Sequence, residues 1–95
     1  MKVHWTDTAR RHLAGIHDYI AEDSPLYARR VLDRITARSK QIADFPRAGR
    51  QVPEYEDENV REVIEGRYRI IYRILSDRVD VVAVIHAARE LPRRL

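Results

Sequence analysis

The chain has no cysteine. Disulfides and thiolate metal sites are therefore excluded, which fits a reducing compartment without requiring one. No apolar run approaches the roughly 20 residues that a membrane helix needs. The opening residues, Met1-Lys2-Val3-His4-Trp5, hold no apolar stretch of signal-peptide type, so a cytoplasmic protein is expected. Three glycines and four prolines argue against repeats and low-complexity segments. Gly49 and Gly66 stand alone, so there is no glycine-rich phosphate loop. His12 and His17 are five apart and point to different faces of a helix, so no metal motif is visible. No cofactor is expected. Lysine is almost missing as well: the basic residues are sixteen Arg and two Lys.

What is there suits one domain spanning residues 1–95. Apolar residues make up 44% of the chain and charged residues 35%, with a net charge of +3. That imbalance alone is too small to name nucleic acid as a partner. The arginine bias is compatible with phosphate or carboxylate recognition, and equally with a GC-rich genome. The charges are also segregated. Residues 29–50 carry seven basic and two acidic side chains, whereas residues 54–58 carry four acids and no base. Such a pattern favours a charged macromolecule over a neutral metabolite.

The hydrophobic pattern gives the element order. Val3 to Trp5 reads as a short strand. Thr6, Asp7 and Thr8 offer N-cap oxygens before Ala9, Leu13, Ile16 and Ile20, which share one helix face. Ser24-Pro25 restarts a second helix, which Pro46 stops. From Pro46 to Asn59 the periodicity lapses into a loop of about a dozen residues, a length often tied to function. Val60 to Ile64, Arg67 to Leu75 and Val79 to His86 read as strands, with Gly66 and Ser76-Asp77-Arg78 as turns. The expected fold is a two-layer α+β domain in the order strand, helix, helix, strand, strand, strand. A helical hairpin covers one face of a mainly antiparallel four-stranded sheet. The other face carries Arg69 and Arg73 and is expected to stay open to a partner.

Candidate chemistry is sparse. Arg69 and Arg73 lie on either side of Ile71 and share a strand face. They are expected about 7 Å apart, close enough to hold neighbouring phosphates. Arg61 and Arg67 could extend the patch. His86 ends the last strand, where an imidazole among arginines could act as a general acid in RNA cleavage. Glu54 in the loop, or Glu62 in a strand, could act as a base. A structural or solvated role is the plainer reading of each.

Taken together, Ser24-Pro25-Leu26-Tyr27-Ala28, Phe45-Pro46-Arg47-Ala48-Gly49-Arg50, Arg61-Glu62, Tyr68-Arg69-Ile70-Ile71-Tyr72-Arg73-Ile74 and Val84-Ile85-His86-Ala87-Ala88-Arg89 resemble the RelE/ParE toxins of bacterial toxin–antitoxin modules. The likeness covers nearly the whole chain. It implies a growth-inhibiting toxin, of the plasmid-stabilisation kind, held in check by a cognate antitoxin. RelE-like members enter the ribosomal A site and cut mRNA. On that pattern Arg69, His86, Arg61 and Glu54 would be the catalytic set, and Arg67, Arg73 and Arg89 would bind phosphate. The ending Leu91-Pro92-Arg93-Arg94-Leu95 departs from it by lacking a terminal Tyr. ParE-like members inhibit DNA gyrase without those residues and have a long hairpin, as here. The resemblance therefore favours gyrase over the ribosome, with a non-toxic binding module as a third reading. An acidic antitoxin tail is expected on the arginine stripe of the second helix: Arg29, Arg30, Arg34 and Arg38.

Overall fold

Thr6 adopts an extended backbone and its hydroxyl accepts the Ala9 N–H, which starts helix α1 (Asp7–Ala21). The chain turns at Glu22-Asp23, and Ser24 caps α2 (Pro25–Asp44) by accepting the Tyr27 N–H at 3.2 Å. Pro25 sits at the first helical position, where its missing N–H costs nothing. Pro46 ends α2 and opens a single 3₁₀ turn, Pro46–Ala48. The computed structural model describes residues 1–89 and Leu91. Glu90 and the tail end, Pro92-Arg93-Arg94-Leu95, lie outside the described residues. No helix among the described residues is long and apolar enough to cross a membrane.

The sheet has five strands rather than four: β1 (Lys2–Trp5), β2 (Arg50–Gln51), β3 (Val60–Glu65), β4 (Tyr68–Ile74) and β5 (Arg78–His86). Their order is β1-β5-β4-β3-β2. The addition is β2, whose two residues pair with Arg61 and Glu62 inside the segment expected to be loop. Two residues are too few to show an alternating pattern. Pairing is antiparallel except between β1 and β5, which run parallel. Gly66 takes φ +59° in the two-residue turn between β3 and β4, a left-handed backbone that glycine adopts without strain.

Two apolar clusters lie on the two faces of the sheet. The larger joins Ala9, Val31, Ile35 and Ile42 of the hairpin to Val63, Ile70, Tyr72, Val79, Val81 and Val84. Each large side chain buried there contributes about 1.5–3 kcal/mol. Val79 and Val81 are in phase with one another and Val84 is not, yet all three face the helices. A register shift explains it: Tyr72 pairs with Val81 and Ile71 with Ala83, so Val82 is an extra residue. The bulge turns Val82, Ala83 and Ile85 onto the second face, where they meet Val52, Val60, Ile71 and Leu91. That face is therefore not open as expected. The segment after β2 and the start of the tail cover it.

Candidate functional site

The centre of the second face is Arg69. Its side chain is only 5% exposed, and it is held by two carboxylates. Nε donates to Glu62 at 2.6 Å, while the two terminal nitrogens donate to the two oxygens of Glu54 at 2.8 Å each. Such a forked pair is the strongest geometry that arginine offers a carboxylate. Glu62 is fully buried and also accepts from Arg50 at 2.6 Å. Arg69 donates once more to the Arg89 carbonyl at 2.7 Å, and Glu54 accepts the Leu91 N–H at 2.9 Å. The cluster thus clamps the start of the tail and lets Leu91 bury itself against the sheet.

Electrostatics follow from this geometry. Hydrogen bonds from Arg69 outweigh burial and hold the Glu54 carboxyl down at about 2. At neutral pH it is a poor base. The same bonds, with those of Glu62, raise the Arg69 guanidinium well above its ordinary value. Arg69 was expected exposed and ready for phosphate; it is buried and neutralised. The expected pairing with Arg73 also fails. Four residues separate them, which at ~3.3 Å per residue is about 13 Å of strand, and Arg73 stays exposed.

Arg61 performs a local task on the other face. Its guanidinium donates to the carbonyls of Glu58 and Gly49, each at 2.9 Å, and of Arg47 at 3.4 Å. Beside it, the Tyr72 hydroxyl donates to the Pro46 carbonyl at 2.6 Å and accepts the Gly49 N–H at 3.2 Å. A Cβ at Gly49 would overlap that hydroxyl and come within 2.8 Å of the Glu62 carbonyl oxygen. This is the physical reason for glycine in the Pro46-Arg47-Ala48-Gly49-Arg50 turn. Burial raises the Tyr72 hydroxyl above its usual range, so it stays protonated and can donate.

His86 faces the helices, not Arg69. It pairs in register with Tyr68, and the two rings meet edge to face with centroids 6.0 Å apart. Its Nδ1 accepts the Ala88 N–H at 3.2 Å. Together with Arg11 and His12 of α1 and with Arg89, it lines a cleft of about 610 Å³. His12 carried no assigned role in the sequence, yet its Nδ1 accepts the Val84 N–H at 3.3 Å. Only the topology could reveal that contact, since 72 residues lie between the two. Burial, helped by Arg11 and Arg89, lowers the pKa of His12. Arg67 stays exposed in the β3–β4 turn, where its carbonyl accepts the Ala87 N–H. On α2, Arg29 pairs with Asp33 and Arg38 donates to Gln41. Arg30 and Arg34 project without hydrogen-bond or ion-pair partners among the described residues.

The expected catalytic set therefore does not converge. Arg69 and Glu54 lie on the second face, and His86 and Arg61 lie on the helix face. A family model described as the ParE toxin of the type II toxin–antitoxin system parDE matches residues 3–91. The chain is 35% identical over 89 residues to "Toxin RelE2" of Caulobacter vibrioides, covering 93% of this chain and 97% of that protein. It is 34% identical over 96 residues to "Putative toxin Y4kP" of Sinorhizobium fredii, covering 99% of this chain and 96% of the other. Among solved structures it resembles a chain of the chromosomal ParDE toxin–antitoxin system from P. aeruginosa. The TM-score is 0.74 at 20% identity, over 90% of this chain and 95% of that one, a likeness of fold.

Proposed function

The chain belongs to the ParE toxin family of type II toxin–antitoxin systems, and from that premise we propose that it stops growth by binding DNA gyrase in the bacterial cytoplasm rather than by cutting mRNA. Membership implies an antitoxin partner. The observation that carries the choice of target is the placement of Arg69 and His86 on opposite faces of the sheet. Cleavage of a phosphodiester by general acid–base chemistry needs a proton donor and a charge stabiliser at one phosphate. Here the stabiliser is occupied by Glu54 and Glu62, and the histidine lies across the sheet from it. A protein that inhibits by binding needs neither group free.

The test pairs two assays on the purified protein. Gyrase supercoiling should stop, or a cleaved DNA complex should accumulate, while mRNA on translating ribosomes stays intact. His86→Ala should leave gyrase inhibition unchanged, since no proton transfer is asked of it. Ribosome-dependent cleavage with unaffected supercoiling would establish the mRNA reading instead. Inactivity in both, with no growth arrest on expression without antitoxin, would leave only a binding module.

A further inference from the structure

The cleft beside β5 has a composition that the toxin reading does not use. Its polar lining is Arg11, His12, Tyr19, Tyr68, His86 and Arg89, and no carboxylate lines it among the described residues. The Arg89 guanidinium has no hydrogen-bond or ion-pair partner among the described residues, while its carbonyl is fixed by Arg69. The backbone that aims Arg89 is thus held before any ligand arrives. Arg11 spends one bond on Thr8 and keeps its remaining donors. Tyr19 is 76% exposed at the rim, and Tyr68 and His86 set a second pair of rings opposite. Gly15 adds no bulk to the floor between them, and a Cβ there would meet nothing within 4 Å.

The strand edge at this point has its first donor beyond β1 already taken. β1 ends at Trp5, opposite Val81, and the last rung is the Thr6 N–H donating to the Val81 carbonyl at 3.0 Å. Beyond it the Val84 N–H, which an added strand would need, is taken by His12. The side chains that line the cleft are what it offers a ligand. Arginine forks match phosphate oxygens, and flat phenol and imidazole rings match a base. The volume of about 610 Å³ falls within the range of small-ligand sites. We propose that this cleft binds a nucleotide, with its phosphate between Arg11 and Arg89 and its base against Tyr19 and Tyr68. A second hollow of about 360 Å³ shares those two tyrosines and continues past Glu65 to Arg67, giving a following nucleotide of a strand a place to run. The inference is independent of the gyrase reading.

Titration of the ¹⁵N-labelled chain, followed through its amide spectrum, tests it with four probes: dAMP, 5′-phosphorylated deoxydiadenylate, inorganic phosphate and a hexaglutamate peptide. dAMP should shift the amides of Gly15, Tyr19, Val84 and His86 saturably. Arg11→Glu with Arg89→Glu should weaken dAMP by about tenfold or more, as expected for lost charged hydrogen bonds. Tyr19→Ala, a surface change that spares the fold, should weaken dAMP and leave inorganic phosphate unaffected. A tighter dinucleotide assigns the site to a strand, and equal affinity assigns it to a free nucleotide. The proposal fails if dAMP does not saturate at millimolar concentration, or if the double reversal leaves its binding intact in a folded protein. It also fails if hexaglutamate binds as well as dAMP, because the cleft would then serve an acidic protein segment.

Discussion

Arg69 and Glu54 meet in a forked ion pair, 2.8 Å on each arm, across fifteen residues of sequence. Between them they join three segments: the loop between β2 and β3, the start of β4 and the start of the tail. Removing one partner of a buried pair leaves the other charge uncompensated, typically at a cost of 3–5 kcal/mol. Arg69→Ala should therefore lower the unfolding free energy by up to about that much, because buried Glu62 would keep only the exposed Arg50 as a charged partner. Replacing Arg69 and Glu62 together with apolar residues should cost less than Arg69→Ala alone. Chemical denaturation of the three proteins measures it.

The same pair makes stability depend on acid. The Glu54 carboxyl is depressed from 4.5 to about 2 on folding. Its contribution is therefore complete above the unfolded value and is lost as the pH falls through the folded one. At 1.36 kcal/mol per pH unit this amounts to about 3 kcal/mol at most. Glu54→Gln should be less stable than the parent at pH 7, and the difference should close between about pH 5 and pH 2. Denaturation midpoints over that range decide it, and a constant difference would show that Glu54 does not titrate with the clamp.

Gly49→Ala should destabilise strongly, since its methyl group has only the Tyr72 hydroxyl and the Glu62 backbone to displace. Overpacking of this kind costs roughly 1–3 kcal/mol. Tyr72→Phe removes the obstacle and both hydrogen bonds, and by itself should cost about 1–3 kcal/mol for the groups left unpaired. In the double variant the two penalties should add incompletely, because the nearest obstacle is gone while the Glu62 carbonyl oxygen, 2.8 Å from the methyl position, remains. A thermodynamic cycle over the four proteins measures the coupling.

Antitoxin capture should be steered by α2. Arg30 and Arg34 remain after Arg29 and Arg38 have found intrahelical partners. Reversing the charge of both should lower the association rate severalfold and leave dissociation nearly unchanged, with the difference fading at high salt. Stopped-flow binding at two ionic strengths tests this. An association rate indifferent to both changes would place the acidic tail elsewhere.

The element order was legible because each device is local: an N-cap at Thr6, Ser24-Pro25 between the helices and the β-branched and aromatic run of β4 after Gly66. What escaped was non-local. A two-residue strand has no pattern of its own, and the bulge at Val82 is hidden in a run where every residue is apolar. The site was harder to read for the same reason. Arg69 and His86 look like neighbours on paired strands, but the one-residue offset between their partners, Ile85 and Tyr68, puts them on opposite faces. Nothing near Arg69 in sequence announces that Glu54 will neutralise it.

The parallel pairing of Lys2–Trp5 with Arg78–Val81 makes the first strand synthesised wait for the last. Until β5 leaves the ribosome, β1 has no neighbour and the hairpin lacks Val79, Val81 and Val84 beneath it. A message broken or a stop codon introduced before β5 therefore leaves β1 unpaired, with at most β2, β3 and β4 able to form a sheet. For a member of a toxin family, this ties the finished fold to β5: a copy that stops before it has no complete sheet to present.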